Sequence, residues 1–375
     1  MKQNPLLAVR ELGQSVWLDL IRRGMLGSGE LRRLIREDGL LGVTSNPAIF
    51  EKAIAGTHDY DQAIQQLAAR ARDAETTYEM LAVQDIQDAA DEFRPVYDSL
   101  DGRDGFVSLE VSPRLAEDTA GTLREARRLW SELDRPNVLI KVPGTAEGLP
   151  AIRQLISEGI SVNVTLLFGL PRYRDVANAY MEGMTARLKA GKPLEHVASV
   201  ASFFLSRIDA LIDPVLDRIK IDRPEVASMA ASLRGQVATA SAKLAYQGHK
   251  ELFGGERFRP LREAGARPQR LLWASTSAKD PAYSDVKYVE ALIGPGTVNT
   301  LPLETLEAYR DHGRPAARIE EGVAAARQVL MDLGRIGIDL GEVTRQLELE
   351  GIEKFKKPFA QLLRVIGEKL AAGKK

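Results

Sequence analysis

The run Asn137-Val138-Leu139-Ile140-Lys141-Val142 sets one lysine inside an apolar segment of strand length. Successive side chains of a β-strand point to opposite faces. Val138, Ile140 and Val142 therefore share one face, and Lys141 lies on the other with Leu139. If the first face packs on helices, Lys141 points toward the inside of a closed sheet. Burial of an ammonium costs desolvation free energy and favours the neutral amine. A neutral amine is the form that attacks a carbonyl, so the residue type and its placement point to Schiff-base chemistry.

The same alternation holds in other apolar runs. Ser161, Asn163 and Thr165 fall opposite Val162 and Val164, and Ser108 and Glu110 fall opposite Val107, Leu109 and Val111. In Ser202-Phe203-Phe204, parity puts Phe204 on the inward face with Ser202. Asp19 and Asn46 close two further runs. Taken singly, each has an ordinary structural explanation. A lysine at a strand end usually snorkels to water, Asp19 could simply cap a helix, and Asn46 and Asn163 could satisfy turns or backbone. Glu110 could be a solvated strand end. The coincidence of parity and position over five strands favours a site, because an inward cluster of charges, amides and hydroxyls is expensive in a purely structural core. His58, His196, His249 and His312 are dispersed and receive no role, and Gly144-Thr145-Ala146-Glu147-Gly148 lacks the Gly-Lys-Ser/Thr of a phosphate loop.

The elements that must position these residues are eight short apolar runs, expected as strands over 15–19, 40–46, 106–111, 137–142, 160–165, 198–204, 270–275 and 297–300. They alternate with stretches of helical period, the pattern of a parallel-sheet α/β fold. Residues 148–158 carry Leu149, Ile152, Leu155 and Ile156 on one face. Residues 115–133 open on Glu117 and Asp118 and turn basic at Arg127 and Arg128, matching a helix dipole. Asn46-Pro47 fits an N-cap followed by proline at the first helical position. The fold class expected is a (β/α)₈ barrel with additional helices, forming one domain over residues 1–375. It carries a helical insertion at about 52–105 that ends in the turn Asp101–Gly105, a Gly/Pro/Arg-rich loop at about 247–268, and a C-terminal amphipathic helix at about 341–372. In that last helix Leu347, Ile352, Phe355, Phe359 and Leu362 are the apolar members.

Composition bounds the function. Fifty-one basic and 52 acidic residues give a net charge of −1, which argues against nucleic acid or an anionic membrane as the main partner. Without cysteine there is no disulfide, thiolate metal site or cysteine nucleophile. No secretory signal and no apolar run of spanning length is read, so a cytoplasmic location is expected.

At these residues the chain resembles the transaldolase family. GVTSNPAIF (residues 42–50) is similar to the family's strand-two signature, and NVLIKVPGTAEGLPAIRQL (137–155) to its Schiff-base lysine signature. VSLEVSPRLAEDT, SVNVTLLFGLPRY, VASFFLSRID and RLLWASTSAKDP are further similar stretches, and the likeness runs from Trp17 to the C-terminal helix. The resemblance implies a cofactor-free, metal-free class I mechanism on sugar phosphates in the pentose phosphate pathway, by a monomer or homodimer. It implies that Lys141 attacks the C2 carbonyl of a ketose phosphate. Glu110 and Thr165 would hold the water of carbinolamine chemistry, and Asp19 would act as base on the C4 hydroxyl. Asn46, Asn163 and Ser202 would bind the three-carbon unit, and Arg207 and Ser275 the distal phosphate.

The chain departs from that pattern at one point. Better-known members of the family carry an arginine two residues beyond the serine matching Ser275, where this chain has Ser277, followed by Lys279, which is read as its substitute. The fructose 6-phosphate aldolase branch has a tyrosine at the position of Phe204. The reaction implied is transfer of dihydroxyacetone from sedoheptulose 7-phosphate to glyceraldehyde 3-phosphate, giving erythrose 4-phosphate and fructose 6-phosphate. The alternatives are a Schiff-base lyase that releases dihydroxyacetone, and a non-catalytic barrel that binds sugar phosphate or serves as a partner subunit.

Overall fold

The computed structural model describes residues 4–67 and 73–372. Eight parallel strands close into a barrel in chain order: β1 Gln14–Leu18, β2 Gly42–Val43, β3 Phe106–Glu110, β4 Val138–Pro143, β5 Val162–Leu167, β6 Ser199–Phe204, β7 Arg270–Ala274 and β8 Thr297–Leu301. All eight expected strands are present, with ends shifted by a few residues. The largest change is in β2, expected over 40–46. Only Gly42 and Val43 pair, because Asn46 already caps the helix Pro47–Gly56, its side chain accepting from the Ala48 and Ile49 amides. The segment between them, Thr44–Asn46, is left free to present side chains at the barrel mouth.

Strand parity sets the interior. Ser15, Trp17, Leu139 and Leu272 are buried within the strands, and the floor is closed by a buried polar plug. Arg270 pairs with Asp104 at 2.9 Å, and the Trp17 indole donates to Asp104 at 2.7 Å. Gly42 makes room for this plug, since a Cβ there would lie 2.6 Å from the Trp17 ring. Paired and hydrogen-bonded in this way, the buried Asp104 carboxylate escapes the cost of an isolated charge.

The insertion contains the helices Asp61–Leu67 and Ala74–Ser99, while residues 68–72 within it lie outside the described residues. It ends in the expected turn, where Asp101, Gly102 and Gly105 all have positive φ. The stretch expected as a loop at 247–268 is instead largely helical. Val237–Gly254 continues through it and Arg259–Glu263 follows. Gly248 fails to break the helix because Ala245, Tyr246 and Phe253 form one buried face, and Phe258 packs edge-on against Phe253 at 5.0 Å. The helix expected over 115–133 begins later, at Thr119. Asp118 is its N-cap, accepting from the Gly121 amide at 2.9 Å, so it lies outside the first turn. Arg127 and Arg128 pair with Glu158 and Glu79 on neighbouring helices.

The C-terminal helix Leu340–Ala372 buries Leu347, Ile352, Phe355, Phe359 and Leu362. It lies across the C-terminal ends of the strands. Phe359 packs edge-on against Tyr78 of Ala74–Ser99 at 5.5 Å, and Gly351 comes so close to Leu166 that a Cβ would lie 3.0 Å from it. Among the described residues, no helix is long and apolar enough to cross a membrane.

Candidate active site

At the C-terminal ends of the strands, where barrel enzymes keep their chemistry, a cavity of about 560 Å³ opens. Asp19, Asn46, Lys141, Ser202, Phe204, Arg207, Ser275, Ser277 and Lys279 all line it. Glu110, Asn163 and Thr165 are buried in the strand layer and do not line this cavity. The strand register explains how they meet. Glu110 pairs with Lys141 across β3 and β4, and Lys141 with Asn163 across β4 and β5. With the side chains of all three on the inward face, they form one row on adjacent strands about 4.8 Å apart.

Lys141 is almost wholly buried. Its ammonium donates to the Ser45 carbonyl at 3.0 Å and stands 3.5 Å from Glu110 Oε2. That second contact is a long ion pair, and among the described residues neither Glu110 oxygen has a closer polar partner. Desolvation pushes the Glu110 carboxyl up to about 7, in spite of the neighbouring Lys141 charge, which pulls the other way. Glu110 can therefore give or take a proton near neutrality.

Asp19 follows β1 directly. Its carboxylate accepts from the Thr44 hydroxyl at 2.7 Å, and Thr44 is also 2.7 Å from the Thr300 hydroxyl. Burial raises the Asp19 carboxyl above its ordinary range, opposed by the charge of Lys141, the Thr44 hydrogen bond and Arg207. The two carboxylates thus differ in surroundings: one is fixed by a hydroxyl at the cavity, the other is ion-paired with the buried lysine. Asn163 is locked in place, donating to Ser108 Oγ at 3.1 Å and accepting from Ser202 Oγ at 2.7 Å. The Thr165 hydroxyl is buried with no partner. Asn46 spends its carbonyl oxygen on the helix cap and keeps its amide NH₂ for the cavity.

The far side of the cavity is cationic. Arg207 sits in the first turn of the helix Ser206–Asp222, with its guanidinium 5.2 Å from the Phe204 ring centre and 6.0 Å from that of Phe355. It forms no ion pair among the described residues, and its Nη1 has no hydrogen-bond partner. Ser275 adopts a left-handed φ of 55°, a conformation costing a non-glycine residue about 1 kcal/mol or more. It is held there by Ser206, whose amide donates to the Ser275 carbonyl at 3.0 Å and whose hydroxyl meets the Ser275 hydroxyl at 2.8 Å. Lys279, at the rim, donates to Ser277 Oγ at 2.6 Å. Arg22, Lys52 and Lys354 add further positive charge, against Asp19 and Glu304.

Several contributors escaped the sequence reading. Thr44 and Ser45 lie within the GVTSNPAIF stretch, and strand parity alone could have pointed to Thr44. Phe355 stands over the Lys141 ammonium at 5.8 Å, yet it is more than 200 residues away in the chain. Its only sequence signal is the apolar face of the last helix. The four histidines stay outside the cavity. His249 is part of an aromatic stack with Tyr246 and Phe253, and burial lowers it to about 4. Among the described residues, no His, Asp or Glu side chains cluster in a metal-holding arrangement.

A parallel barrel with a buried lysine, two dissimilar carboxylates and a cationic cavity at its C-terminal mouth is an enzyme of the Schiff-base aldolase class. The family model described as Transaldolase/Fructose-6-phosphate aldolase matches residues 16–366, and the chain belongs to that family. The transaldolase of Trichodesmium erythraeum is 47% identical over 374 residues, covering 99% of this chain and 98% of the relative. The transaldolase of Mycolicibacterium smegmatis is 47% identical over 377 residues and covers 100% of both. That of Saccharopolyspora erythraea is 46% identical over 368 residues, or 98% of each chain.

Proposed function

We propose that the chain transfers a dihydroxyacetone unit reversibly from sedoheptulose 7-phosphate to glyceraldehyde 3-phosphate, giving erythrose 4-phosphate and fructose 6-phosphate. The observation that carries this reading is Lys141, buried 3.5 Å from the Glu110 carboxylate and facing a cavity in which Arg207 forms no ion pair among the described residues. The Lys141 nitrogen adds to C2 of the ketose, a proton passes from nitrogen to the C2 oxygen to give a carbinolamine, and Glu110 then protonates the departing hydroxyl so that water leaves and an iminium remains. Asp19 takes the C4 hydroxyl proton, the C3–C4 bond breaks, and its electron pair moves into the iminium to form an enamine. The aldose product departs, an acceptor aldehyde enters, and the sequence runs backward.

The other residues in and beneath the cavity fit supporting roles in this scheme. Asn46, Asn163 and Ser202 hydrogen-bond the three-carbon unit, and Thr165 works with Glu110 on the water. Arg207, Ser275, Ser277 and Lys279 hold the distal phosphate. The free guanidinium suits a bidentate, charge-assisted contact. Phe204 presents a ring without a hydroxyl, so it offers no proton to the enamine. Because the C-terminal helix lies over the mouth, Phe355 keeps bulk water from the same intermediate. Residues 1–375 act as one domain, as a monomer or homodimer in the cytoplasm, on sugar phosphates and not on nucleic acid.

Product analysis with fructose 6-phosphate tests the reading. With erythrose 4-phosphate present, sedoheptulose 7-phosphate and glyceraldehyde 3-phosphate form. Without an acceptor, free dihydroxyacetone stays low. Equal dihydroxyacetone release with and without acceptor would instead make the chain a lyase.

A further inference from the structure

Six cationic side chains line the large cavity: Arg22, Lys52, Lys141, Arg207, Lys279 and Lys354. Four of them are engaged within the protein. Arg22 pairs with Glu30 at 3.1 Å, Lys354 with Glu350 at 3.0 Å and Lys141 with Glu110 at 3.5 Å, while Lys279 donates to Ser277 Oγ at 2.6 Å. Arg207 and Lys52 form neither an ion pair nor a hydrogen bond among the described residues.

The fold directs Lys52 at the mouth. It lies on the helix Pro47–Gly56, whose N-cap Asn46 also lines the cavity. Ala48, Ile49, Lys52 and Ala53 fall on one face of that helix and line the cavity, whereas Phe50 and Ile54 are buried and do not. Helical side chains tilt toward the N-terminus of their helix. The long Lys52 stem therefore leans back toward Asn46 and the barrel mouth. Its strand, β2, and the strand that leads to Arg207, β6, are four apart in a closed barrel of eight. Lys52 and Arg207 thus stand on opposite sides of the mouth, with Lys279 beyond β7. The charges of all three are felt in one place. Partial desolvation, and then Arg207 and Lys52, lower the Lys279 ammonium below its ordinary range, while Glu304 opposes them.

A phosphate monoester carries a charge between about −1.5 and −2 at pH 7. Arg207 matches one unit of it. The hydroxyls of Ser275 and Ser277 offer hydrogen bonds and no charge, and Asp19 and Glu304 line the same cavity and repel the remainder. Lys279 is held to Ser277 and faces the opposing charge of Glu304. Lys52 is exposed and without an acidic partner among the described residues. A compact ammonium on a flexible stem, with three rotatable donors, suits a point contact on phosphate.

We propose that Lys52 is a substrate-binding residue that closes on the sugar's phosphate from the side opposite Arg207 and supplies the second positive charge. The inference rests on the transfer reading above. Lys52 stays clear of the transferred three-carbon unit. It therefore governs which aldehydes are accepted, phosphorylated over neutral, and not the chemistry at C2.

The test compares two acceptors with fructose 6-phosphate saturating. Transfer to erythrose 4-phosphate gives sedoheptulose 7-phosphate, and transfer to glyceraldehyde, which has no phosphate, gives fructose. Lys52→Met keeps the length of the side chain and removes the charge. The ratio of KM for erythrose 4-phosphate to KM for glyceraldehyde should rise roughly two- to fivefold over wild type, the range of an exposed charge contact. Added salt should narrow that difference by screening, and Lys52→Arg should restore the wild-type ratio. A ratio unchanged in Lys52→Met overturns the proposal, as does an equal rise in both KM values, which would mark a distorted helix and not a lost phosphate contact. Failure of the wild type to form sedoheptulose 7-phosphate would refute the transfer reading instead, so the two failures are distinguishable.

Discussion

Glu110 is the group whose chemistry is set most sharply by its surroundings. Its carboxyl is pushed up to about 7 by desolvation, which outweighs the stabilisation of its ionised form by the Lys141 ammonium 3.5 Å away. Dehydration of the carbinolamine needs the acid form. The sign follows directly: below pH 7 the proton is present, and above it the acid fraction falls about tenfold per pH unit. Imine formation by wild type should therefore be level below neutrality and decline through pH 7 to 9. Hydrolysis, which needs the carboxylate, should change in the opposite direction. Glu110→Gln keeps the size of the side chain and removes the proton. General acid–base help is worth about 100- to 10,000-fold, and imine formation should slow by a factor in that range and lose its decline above pH 7. The assay is single-turnover borohydride quenching with fructose 6-phosphate across pH 6 to 9. A Gln variant that forms the imine at the wild-type rate, or that keeps the same decline, would refute the assignment.

Other residues give distinct signatures. Asp19→Asn should still trap the ketose as an imine yet release no aldose, because the lost carboxylate serves cleavage and not imine formation; if it slows the same step as Glu110→Gln, the division of labour is wrong. Arg207→Ala removes a buried charge-assisted contact worth about 1.5–3 kcal/mol, which raises KM for phosphorylated substrates roughly 10- to 100-fold. Lys279→Ala, at an exposed rim position, should raise KM by no more than about fivefold; steady-state kinetics checks both, and an unchanged KM in Lys279→Ala would remove Lys279 from the phosphate site. Phe204→Tyr places a hydroxyl on the inward face of β6, and dihydroxyacetone release from fructose 6-phosphate without acceptor should rise. No rise would reduce Phe204 to packing.

The barrel and the inward lysine were legible because period-two patterning is local: the valines and isoleucine around Lys141 declare its face without reference to the rest of the chain. The strand signal was strong enough to find even Thr297–Leu301 in a turn-rich stretch. Three features depended on distant partners and could not be read in the same way. Residues 247–254 look like a breaker, with Gly248 and charged neighbours, and are helical because Tyr246 and Phe253 are buried, Phe253 packing on Tyr180 of a neighbouring helix and on Phe258. Phe355 was visible only as one apolar member of an amphipathic helix, whereas its place over Lys141 and Arg207 depends on how that helix crosses the mouth. The raised carboxyl of Glu110 is a property of three-dimensional surroundings: parity declares its inward direction, and its desolvation depends on what packs around it.

The central claim is that Lys141 forms the covalent intermediate. Borohydride reduction in the presence of fructose 6-phosphate, followed by peptide mapping, tests it most directly. The account predicts a reduced adduct on the peptide that contains Lys141, and none in a folded Lys141→Ala variant. An adduct on Lys279 or Lys243, or one that persists in Lys141→Ala, would contradict it.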